Sequence, residues 1–310
     1  MTNPEPPAPD LAGQTVVVTG ASGFIGTHLC RRLVVSGAEV HGVSRRPPDA
    51  DSDPIRWTQT DLADLDAVRR YLRERRPSLI FHLASHVIGL RALEVVPSTF
   101  TAGLVSTVNL LTAATEIGGA RLVIAGSMEE PDPGDAAPIP VSPYAAAKWA
   151  SSGYARMFHA LYDTPVVIAR LFMVYGPAQR DLDKLVPYTC LALLRGESPR
   201  LSSGARPVDW LYVDDAVSGL TAAATAPSVE GQTIDLGSGE LVTIRALAEM
   251  LARIIGGSGM PLFGALPDRP RERVCVANVE ESRRRIGWQP IMPLAEGLRR
   301  TVAWYRSLVA

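Results

Sequence analysis

A tyrosine and a lysine four residues apart are the most chemically distinctive pair in the 310-residue sequence. Tyr144 and Lys148 (YAAAK) open a stretch with apolar residues at helical spacing, which places both side chains on one helix face. The chain has only one other lysine, Lys184, so a chance match at this spacing is rare. An ammonium group favours a neighbouring phenolate, so we expect a lowered tyrosine pKa and proton exchange with a substrate hydroxyl or ketone near neutral pH.

A serine precedes this pair at the end of a predicted strand. Ser127 follows a strand-like run at residues 122–125, and its hydroxyl would hold a substrate oxygen beside Tyr144. The ordinary alternatives are a loop serine before a helix and a Tyr/Lys pair on the surface. The three residues together favour a proton-transfer site.

Three glycines follow the first predicted strand. They form GxxGxxG between the β-branched run Thr15–Thr19 and a helical pattern at residues 24–36. Such glycines allow a tight turn, close approach of the backbone to a pyrophosphate, and close packing of helix on sheet, although an ordinary strand-to-helix turn is the alternative. The residues expected at a dinucleotide here are Gly20, Ser22, Gly23, Phe24, Ile25 and Gly26.

The end of the second predicted strand indicates which dinucleotide is bound. An acidic residue there would accept hydrogen bonds from the ribose 2′-hydroxyl of NAD, whereas this sequence reads VSRR at residues 43–46. Two guanidinium groups offer bidentate hydrogen bonds to a 2′-phosphate, so we expect NADP(H); a solvated basic turn is the alternative. The residues expected at the ribose and the adenine are Ser44, Arg45, Arg46, Asp61 and Leu62.

Strand-like and helical patterns alternate along the first half of the chain, which predicts an α/β fold with a doubly wound parallel sheet of the Rossmann type. After residue 171 the elements shorten, which predicts a smaller, interleaved C-terminal lobe for substrate, with a ligand crevice between the two. The predicted organisation is a disordered tail at 1–12, a Rossmann domain at 13–172 with a return segment at 205–236, and a substrate-binding lobe at 173–204 and 237–310.

The composition indicates a well-buried core without a strong overall charge. The hydrophobic fraction is 46% and the formal net charge is -1, which disfavours nucleic acid or an anionic membrane as a partner. Cys30, Cys190 and Cys275 match neither a disulfide framework nor a zinc site, so we expect a cytoplasmic protein without a metal. No apolar run of membrane-spanning length is expected, and the N-terminus does not resemble a signal peptide.

Several motifs together resemble the extended short-chain dehydrogenase/reductase family of nucleotide-sugar epimerases, dehydratases and reductases. The resemblance extends over nearly the whole chain. Its motifs are TGASGFIG at residues 19–26, DL at 61–62, HLAS at 82–85, YAAAK at 144–148, RLFMVYGP at 170–177, DWLYVDD at 209–215 and IGWQP at 286–290.

The resemblance implies hydride transfer at a sugar carbon, usually C4, with Tyr144 as acid and base and Lys148 at the nicotinamide ribose. It implies a nucleotide-diphosphate sugar as substrate and a homodimer through two Rossmann helices, here those around Asn109 and Tyr154. The further cofactor contacts that it implies are Leu83, Ala84 and Ser85.

The residues after Ser127 bear on the type of reaction. In the related 4,6-dehydratases an Asp or Ser acts as acid at the position of Met128, whose thioether cannot donate a proton, while Glu129 matches the base at C5. The pattern is also similar to that of NADPH-dependent GDP-4-keto-6-deoxymannose reductases. We expect reduction of a nucleotide-linked 4-keto-6-deoxysugar. The alternative is an epimerase, dehydratase or decarboxylase with tightly bound NADP, and a non-catalytic dinucleotide sensor is a remote one.

The sugar nucleotide is expected in the C-terminal lobe. Arg206 and either Arg269 or Arg271 are candidates for its diphosphate, because guanidinium groups bind phosphate oxygens in pairs. Met173 and Lys184 are further candidate contacts. The chain departs from the family at Met173, where an asparagine is common, and at Arg206, which stands two positions earlier than the usual arginine.

Overall fold

The structure, a computed structural model, describes residues 10–46, 54–87, 90–131, 134 and 138–309. The strands are β1 (Thr15–Thr19), β2 (Glu39–Ser44), β3 (Arg56–Gln59), β4 (Leu79–His82), β5 (Arg121–Ser127), β6 (Val166–Leu171), β7 (Met173–Tyr175), β8 (Pro207–Tyr212), β9 (Thr233–Leu236) and β10 (Leu241–Thr243). The helices are α1 (Phe24–Val35), α2 (Leu65–Arg75), α3 (Val96–Thr99), α4 (Ser106–Ile117), α5 (Pro143–Tyr162), α6 (Leu185–Leu194), α7 (Val213–Thr225), α8 (Ile244–Ile255), α9 (Val279–Ile286) and α10 (Leu294–Val309).

Seven strands form one large sheet in the order β3-β2-β1-β4-β5-β6-β9, and every neighbouring pair is parallel. On one face α1 packs beside α7, with Leu29 and Leu220 in a shared core. On the other face α2, α4 and α5 contribute Leu72, Leu110 and Phe158 to a second core. β1 lies between two such layers, which explains its uninterrupted apolar run. The predicted doubly wound α/β fold is confirmed.

The chain changes direction within the sheet between β1 and β4. From β1 it adds β2 and β3 on one side and then crosses back, so that β4, β5, β6 and β9 follow on the other. The loops after β1 and β4 therefore diverge and leave a crevice at the carboxyl ends of these strands. Gly20 N–H donates to Val43 O at 3.0 Å and Leu83 N–H donates to Thr19 O at 3.1 Å, which anchors both loops to the sheet.

A three-stranded sheet of order β10-β8-β7 forms the smaller lobe together with α6, α8 and α10. Its core contains Trp210, Tyr212, Leu247 and Tyr305. The predicted return segment at 205–236 is divided between the two lobes. β8 belongs to the small sheet, whereas α7 and β9 return to the large one.

Two carboxylates of the DWLYVDD motif fasten loops of the smaller lobe. Asp209 is fully buried and accepts hydrogen bonds from Ser238 N–H at 2.6 Å and Ala277 N–H at 3.0 Å. Asp215 accepts one from Met292 N–H at 2.9 Å. These motif residues therefore have a structural role, since each buried carboxylate satisfies backbone donors from a distant segment.

The first described residues pack on the large domain. Leu11 is 2% exposed within the core, and its N–H donates to Ser36 O at 2.9 Å. Residues 10–12 of the predicted tail are therefore part of the packed structure, and residues 1–9 lie outside the described residues.

One continuous helical stretch joins α3 to α4 through the π-helical turn Phe100–Val105. Leu93–Ile117 has 25 residues and contains an 18-residue window with a mean hydropathy of 1.3, so by length and composition it could cross a membrane. The prediction that no apolar run approaches this length is wrong, because the π-helical turn continues the helix instead of ending it. Leu110 and Leu111 of this stretch lie in the core, as in a helix that packs against a sheet.

Candidate active site

Ser127 is the last residue of β5. It pairs in register with Leu171 of β6, so the strand extends two residues beyond the predicted end at 125. The extension occurs because Met128 N–H still donates to Leu171 O, at 3.0 Å. Ser127 therefore lies at the carboxyl edge of the large sheet, where such sheets bind ligands.

α5 begins beside this edge. Ser142 caps the helix by accepting the Ala145 N–H at 3.0 Å, and Pro143 occupies the first helical position. Tyr144 consequently lies in the first turn, where its phenol is hydrogen-bonded to the Ser127 hydroxyl. The structure brings the predicted serine and tyrosine into direct contact.

Lys148 lies one turn further along α5. Its Nζ donates to Ala125 O at 2.7 Å and lies 5.9 Å from the centre of the Tyr144 ring. Burial lowers the pKa of the ammonium to about 8, and the charge of Glu130 acts in the opposite direction. A carbonyl of β5 thus fixes the lysine near the tyrosine.

The pKa of the Tyr144 phenol is raised, not lowered as predicted. Burial has the largest effect, because it disfavours the charged phenolate. The hydrogen bond from Ser127 lowers this pKa, whereas the carboxylates of Glu129 and Glu130 raise it further. In the protein alone, proximity to Lys148 does not overcome these effects.

The two glutamates after Met128 occupy different environments. Glu129 is half-buried; its N–H donates to Ser127 Oγ at 3.1 Å, and its Oε2 accepts from Ser142 Oγ at 3.2 Å. Glu130 is buried, and its Oε1 accepts the Ser127 N–H at 2.7 Å. Sequence reasoning gave Glu130 no role, since a carboxylate in a polar loop motif gives no sign of burial.

The glycine-rich turn fits a dinucleotide pyrophosphate. Gly20 has a φ of +70°, and a Cβ there would lie 2.8 Å from Ala84 N; a Cβ on Gly26 would collide with Gly20 O. Gly23 caps α1 without a side-chain hydrogen bond, and no acidic residue lies in the first turn of the helix. Backbone N–H groups at this helix terminus therefore remain available to phosphate oxygens.

Polar side chains adjoin this turn. Ser22 Oγ lies 2.8 Å from Ser44 Oγ, which joins the turn to the end of β2. Arg45 and Arg46 follow directly and are exposed. Ser85 Oγ is buried and has no hydrogen-bond partner among the described residues, so a polar atom of a bound dinucleotide would satisfy it.

Four other predicted cofactor residues make packing or backbone contacts. Phe24 meets His28 edge-on, with ring centres 5.8 Å apart. Ile25 and Leu83 pack against the core, and Ala84 N–H donates to a β1 threonine hydroxyl at 3.3 Å. Their contacts shape the turn and the loop after β4.

The predicted adenine contacts lie in a loop that Asn109 holds. Asp61 is exposed and accepts Ala63 N–H at 3.0 Å, while Leu62 is buried. Asn109 Nδ2 donates to the carbonyl oxygens of Leu62 and Ala63, both at 3.0 Å. Asn109, assigned by resemblance to the dimer helices, therefore positions this loop within its own chain.

His82 bridges two elements below the site. One ring nitrogen lies 2.7 Å from Thr19 Oγ1 and the other 3.0 Å from Thr107 Oγ1. Burial lowers the pKa of His82 to about 3, so the ring is neutral. Across the residues that the structure describes, no group of three or more His, Cys, Asp or Glu side chains could hold a metal ion.

The substrate candidates divide into two groups. Arg206 Nε lies 2.8 Å from Glu272 Oε2, and Arg269 Nη1 lies 4.0 Å from the other oxygen of that carboxylate. Arg271 is exposed in the same segment, with a φ of +61°. Lys184 instead lies beside Asp181, 3.8 Å away, so the structure does not join it to the arginines.

An apolar cluster lies beside Ser127 and includes residues of the C-terminal half of the chain. Met128 is 7% exposed and packs with Phe172 and Ala277, and the partly buried Met173 and Cys275 contact the same cluster. Met128 therefore places a thioether, which has no proton to donate, directly beside Ser127.

Known proteins match both the sequence and the fold. The NAD dependent epimerase/dehydratase family matches residues 16–237. The UDP-glucose 4-epimerase of Mycolicibacterium smegmatis is 33% identical, over 94% of this chain and 98% of that protein. The dTDP-glucose 4,6-dehydratase 1 of Escherichia coli K12 is 26% identical, over 94% and 92%. The solved structure of MoeE5 with UDP-glucose and NAD is 29% identical, with a TM-score of 0.85, and the match covers 96% of this chain and 100% of that one.

These matches agree with the motifs and with the observed sheet. They extend over both lobes, including the small sheet that sequence patterns did not resolve. The chain belongs to the NAD dependent epimerase/dehydratase family, the extended short-chain dehydrogenases/reductases that act on nucleotide sugars.

Proposed function

We propose that the protein is a nucleotide-sugar 4-epimerase that oxidises and re-reduces C4 of a UDP-linked hexose and retains its dinucleotide throughout. The contact of Ser127 with Tyr144, with Lys148 held beside them, carries this proposal. The names of the relatives support a redox-neutral reaction better than the 4-keto-6-deoxysugar reduction expected from the residues.

Each residue of the trio has a part in proton transfer. Ser127 Oγ holds the C4 oxygen, and Tyr144 takes the proton from the C4 hydroxyl and returns it after the sugar has turned. Lys148 supplies positive charge and a ribose contact. A nicotinamide held at this site would supply the hydride acceptor and donor, and its positive charge would favour the Tyr144 phenolate that burial alone disfavours.

Met128 favours epimerisation over dehydration. Expulsion of the C6 hydroxyl needs a proton donor, and a buried thioether beside Ser127 has no proton to give. Glu129 already accepts from Ser142, so its position suits the support of α5 as well as base chemistry.

The dinucleotide that we propose is NADP(H). Arg45 and Arg46 are exposed directly after β2, where a 2′-phosphate would meet both guanidinium groups. The related structures contain NAD, so binding constants for the two forms decide this point.

A second candidate function, reduction of a 4-keto-6-deoxysugar, rests on the same arginines. Cells keep their NADP pool mainly reduced, so a reductase would draw NADPH from it. Such an enzyme would bind the 2′-phosphate of NADPH through the same two arginines. Net consumption of NADPH distinguishes this reaction from epimerisation.

The arginines around Glu272 are the proposed diphosphate contacts, with Met173 beside the sugar. We also propose a homodimer through α4 and α5, because Tyr154 and Leu161 on α5 are exposed at 41% and 66%. Apolar side chains exposed on a helix face favour association.

Proton NMR of the purified protein with UDP-glucose, without added dinucleotide, tests the proposed function. We expect UDP-galactose signals to grow until both sugars are present at equilibrium. No conversion without a dinucleotide, combined with turnover of a 4-keto sugar that consumes NADPH, would replace epimerisation with reduction.

A further inference from the structure

A buried carboxylate beside Ser127, at the carboxyl edge of the large sheet, has no part in the proposed reaction. Glu130 is 6% exposed and lies three residues after Ser127. Its Oε1 accepts the Ser127 N–H at 2.7 Å, and the Ser152 side chain on α5 gives it a second hydrogen bond. Glu130 therefore connects the end of β5 to the helix that carries Tyr144.

Lys148 and Arg170 are the two cations that act on Glu130, and each lowers the pKa of its carboxyl group. The Arg170 guanidinium also pairs with Asp235, with Nε 2.6 Å from Oδ1. The Lys148 ammonium donates to the neutral carbonyl of Ala125. A buried ammonium needs a nearby negative charge to remain protonated.

The other titratable groups near the trio do not supply this charge. His82 faces Lys148 but is neutral, since burial lowers its pKa to about 3. Glu129 acts on the Tyr144 phenol. Within the described part of the chain, Glu130 is thus the carboxylate that acts on both Lys148 and Tyr144.

A cavity lies beside Glu130. Burial raises the pKa of its carboxyl group, whereas its hydrogen bonds and the neighbouring cations lower it. The cavity has a volume of about 290 Å³, and Trp149, Arg170 and Asp235 also line it. Water can enter a polar cavity of this size and solvate a charge that burial alone would neutralise.

We propose that Glu130 is a positioning residue, whose carboxylate fixes Ser127 through its backbone and keeps Lys148 charged during turnover. The inference rests on the proposed function, in which Tyr144 moves the proton and Lys148 remains an ammonium. Two effects follow from one side chain: a geometric effect through the Ser127 N–H and an electrostatic effect on Lys148.

The two-lysine composition allows a direct test without substrate. Protein labelled with ¹³C at the lysine Cε atoms should give two resonances, assigned with Lys184→Arg, and a pH titration gives the pKa of Lys148. Glu130→Gln keeps an acceptor for the Ser127 N–H but removes the negative charge, so we expect the pKa of Lys148 to fall by about 1. An unchanged pKa would overturn the electrostatic part of the proposal.

Glu281→Gln is the matched control, because Glu281 lines the same cavity but pairs with Arg284 and Arg285. It should leave the Lys148 titration unchanged. Glu130→Asp keeps the negative charge, so the pKa of Lys148 should stay at its wild-type value. The shorter side chain should lose its hydrogen bond with the Ser127 N–H, so kcat should fall. A shift in Glu130→Asp as large as in Glu130→Gln would contradict the separation of the two effects.

Activity gives an independent reading. Loss of the carboxylate lowers the pKa of both Lys148 and Tyr144, so the pH optimum of kcat/KM should move to lower pH in Glu130→Gln. An optimum at the wild-type pH would contradict the proposal. If the wild-type protein turned over no nucleotide sugar, the proposed function would fail, whereas the lysine titration would still decide the role of Glu130.

Discussion

The proposed catalytic edge of the large sheet, where Ser127 and Lys148 lie, and the proposed diphosphate site around Arg206 hold their charges differently. Lys148 and Glu130 are 5% and 6% exposed and are fixed by hydrogen bonds to β5. Arg269 is 62% exposed, and Arg206 lies beside the carboxylate of Glu272. Burial shifts the pKa values on which the proposed proton transfer depends, whereas exposure would leave the proposed phosphate contacts adjustable and sensitive to salt.

The largest effect on activity is expected at the proposed catalytic edge, from substitution of Tyr144. Tyr144→Phe removes the group that moves the proton and should lower kcat by about 10²- to 10⁴-fold. Dinucleotide affinity, measured by fluorescence titration, should hardly change because the glycine-rich turn is intact. Tyr162→Phe, at the exposed end of α5, is the control and should keep full activity. Full activity in Tyr144→Phe would remove the phenol from the mechanism.

The arginines after β2 are exposed like those of the smaller lobe but should act on the dinucleotide. In Arg45→Ala combined with Arg46→Ala, each lost charged hydrogen bond should weaken NADP(H) binding by about 10- to 100-fold. NAD(H) binding should change little. Binding of both dinucleotides would be measured by calorimetry. An equal loss of affinity for NADP(H) and NAD(H) would mean that these residues do not contact a 2′-phosphate.

Arg206 and Glu272 should have opposite effects on nucleotide binding. Arg206→Ala should weaken UDP binding by about tenfold, since a guanidinium bond to a phosphate is lost. Glu272→Gln removes a competing charge and should strengthen binding, with a smaller change at high salt. The same direction of change in both variants would place the diphosphate elsewhere in the crevice.

The smallest effect on activity is expected from substitution of Glu129. Glu129→Gln retains an acceptor for the Ser142 hydroxyl, so an epimerase at C4 should lose little activity. A loss of about 10²-fold or more would indicate proton removal at C5 and therefore a dehydratase or a C5 epimerase. Initial rates of the variant and of the wild-type protein with UDP-sugars measure this loss of activity.

Features that depend on local sequence patterns could be predicted from the sequence. β1 has the predicted bounds, and the helix predicted at residues 24–36 is α1 (Phe24–Val35), because an apolar run and a helical spacing of apolar residues are local signals. Ser127, Tyr144 and Lys148 were found because one short motif and one strand end place them. Short strands such as β7, with three residues, carry too little pattern to detect.

Contacts between distant segments were missed for a different reason. Glu272 lies 66 positions after Arg206, and no local pattern indicates that they meet. The raised pKa of Tyr144 was also missed, because spacing gives the distance to Lys148 but not the burial of the phenol. Burial depends on the whole fold, so electrostatic predictions from spacing alone can have the wrong sign.

Transfer of hydrogen at C4 tests the central claim most directly. UDP-glucose carrying deuterium at C4 would be incubated with the protein as purified, without added dinucleotide, and the products analysed by NMR and mass spectrometry. The account predicts UDP-galactose that keeps the deuterium at C4. Product formed only with added NADPH, or deuterium moved to C6, would contradict it.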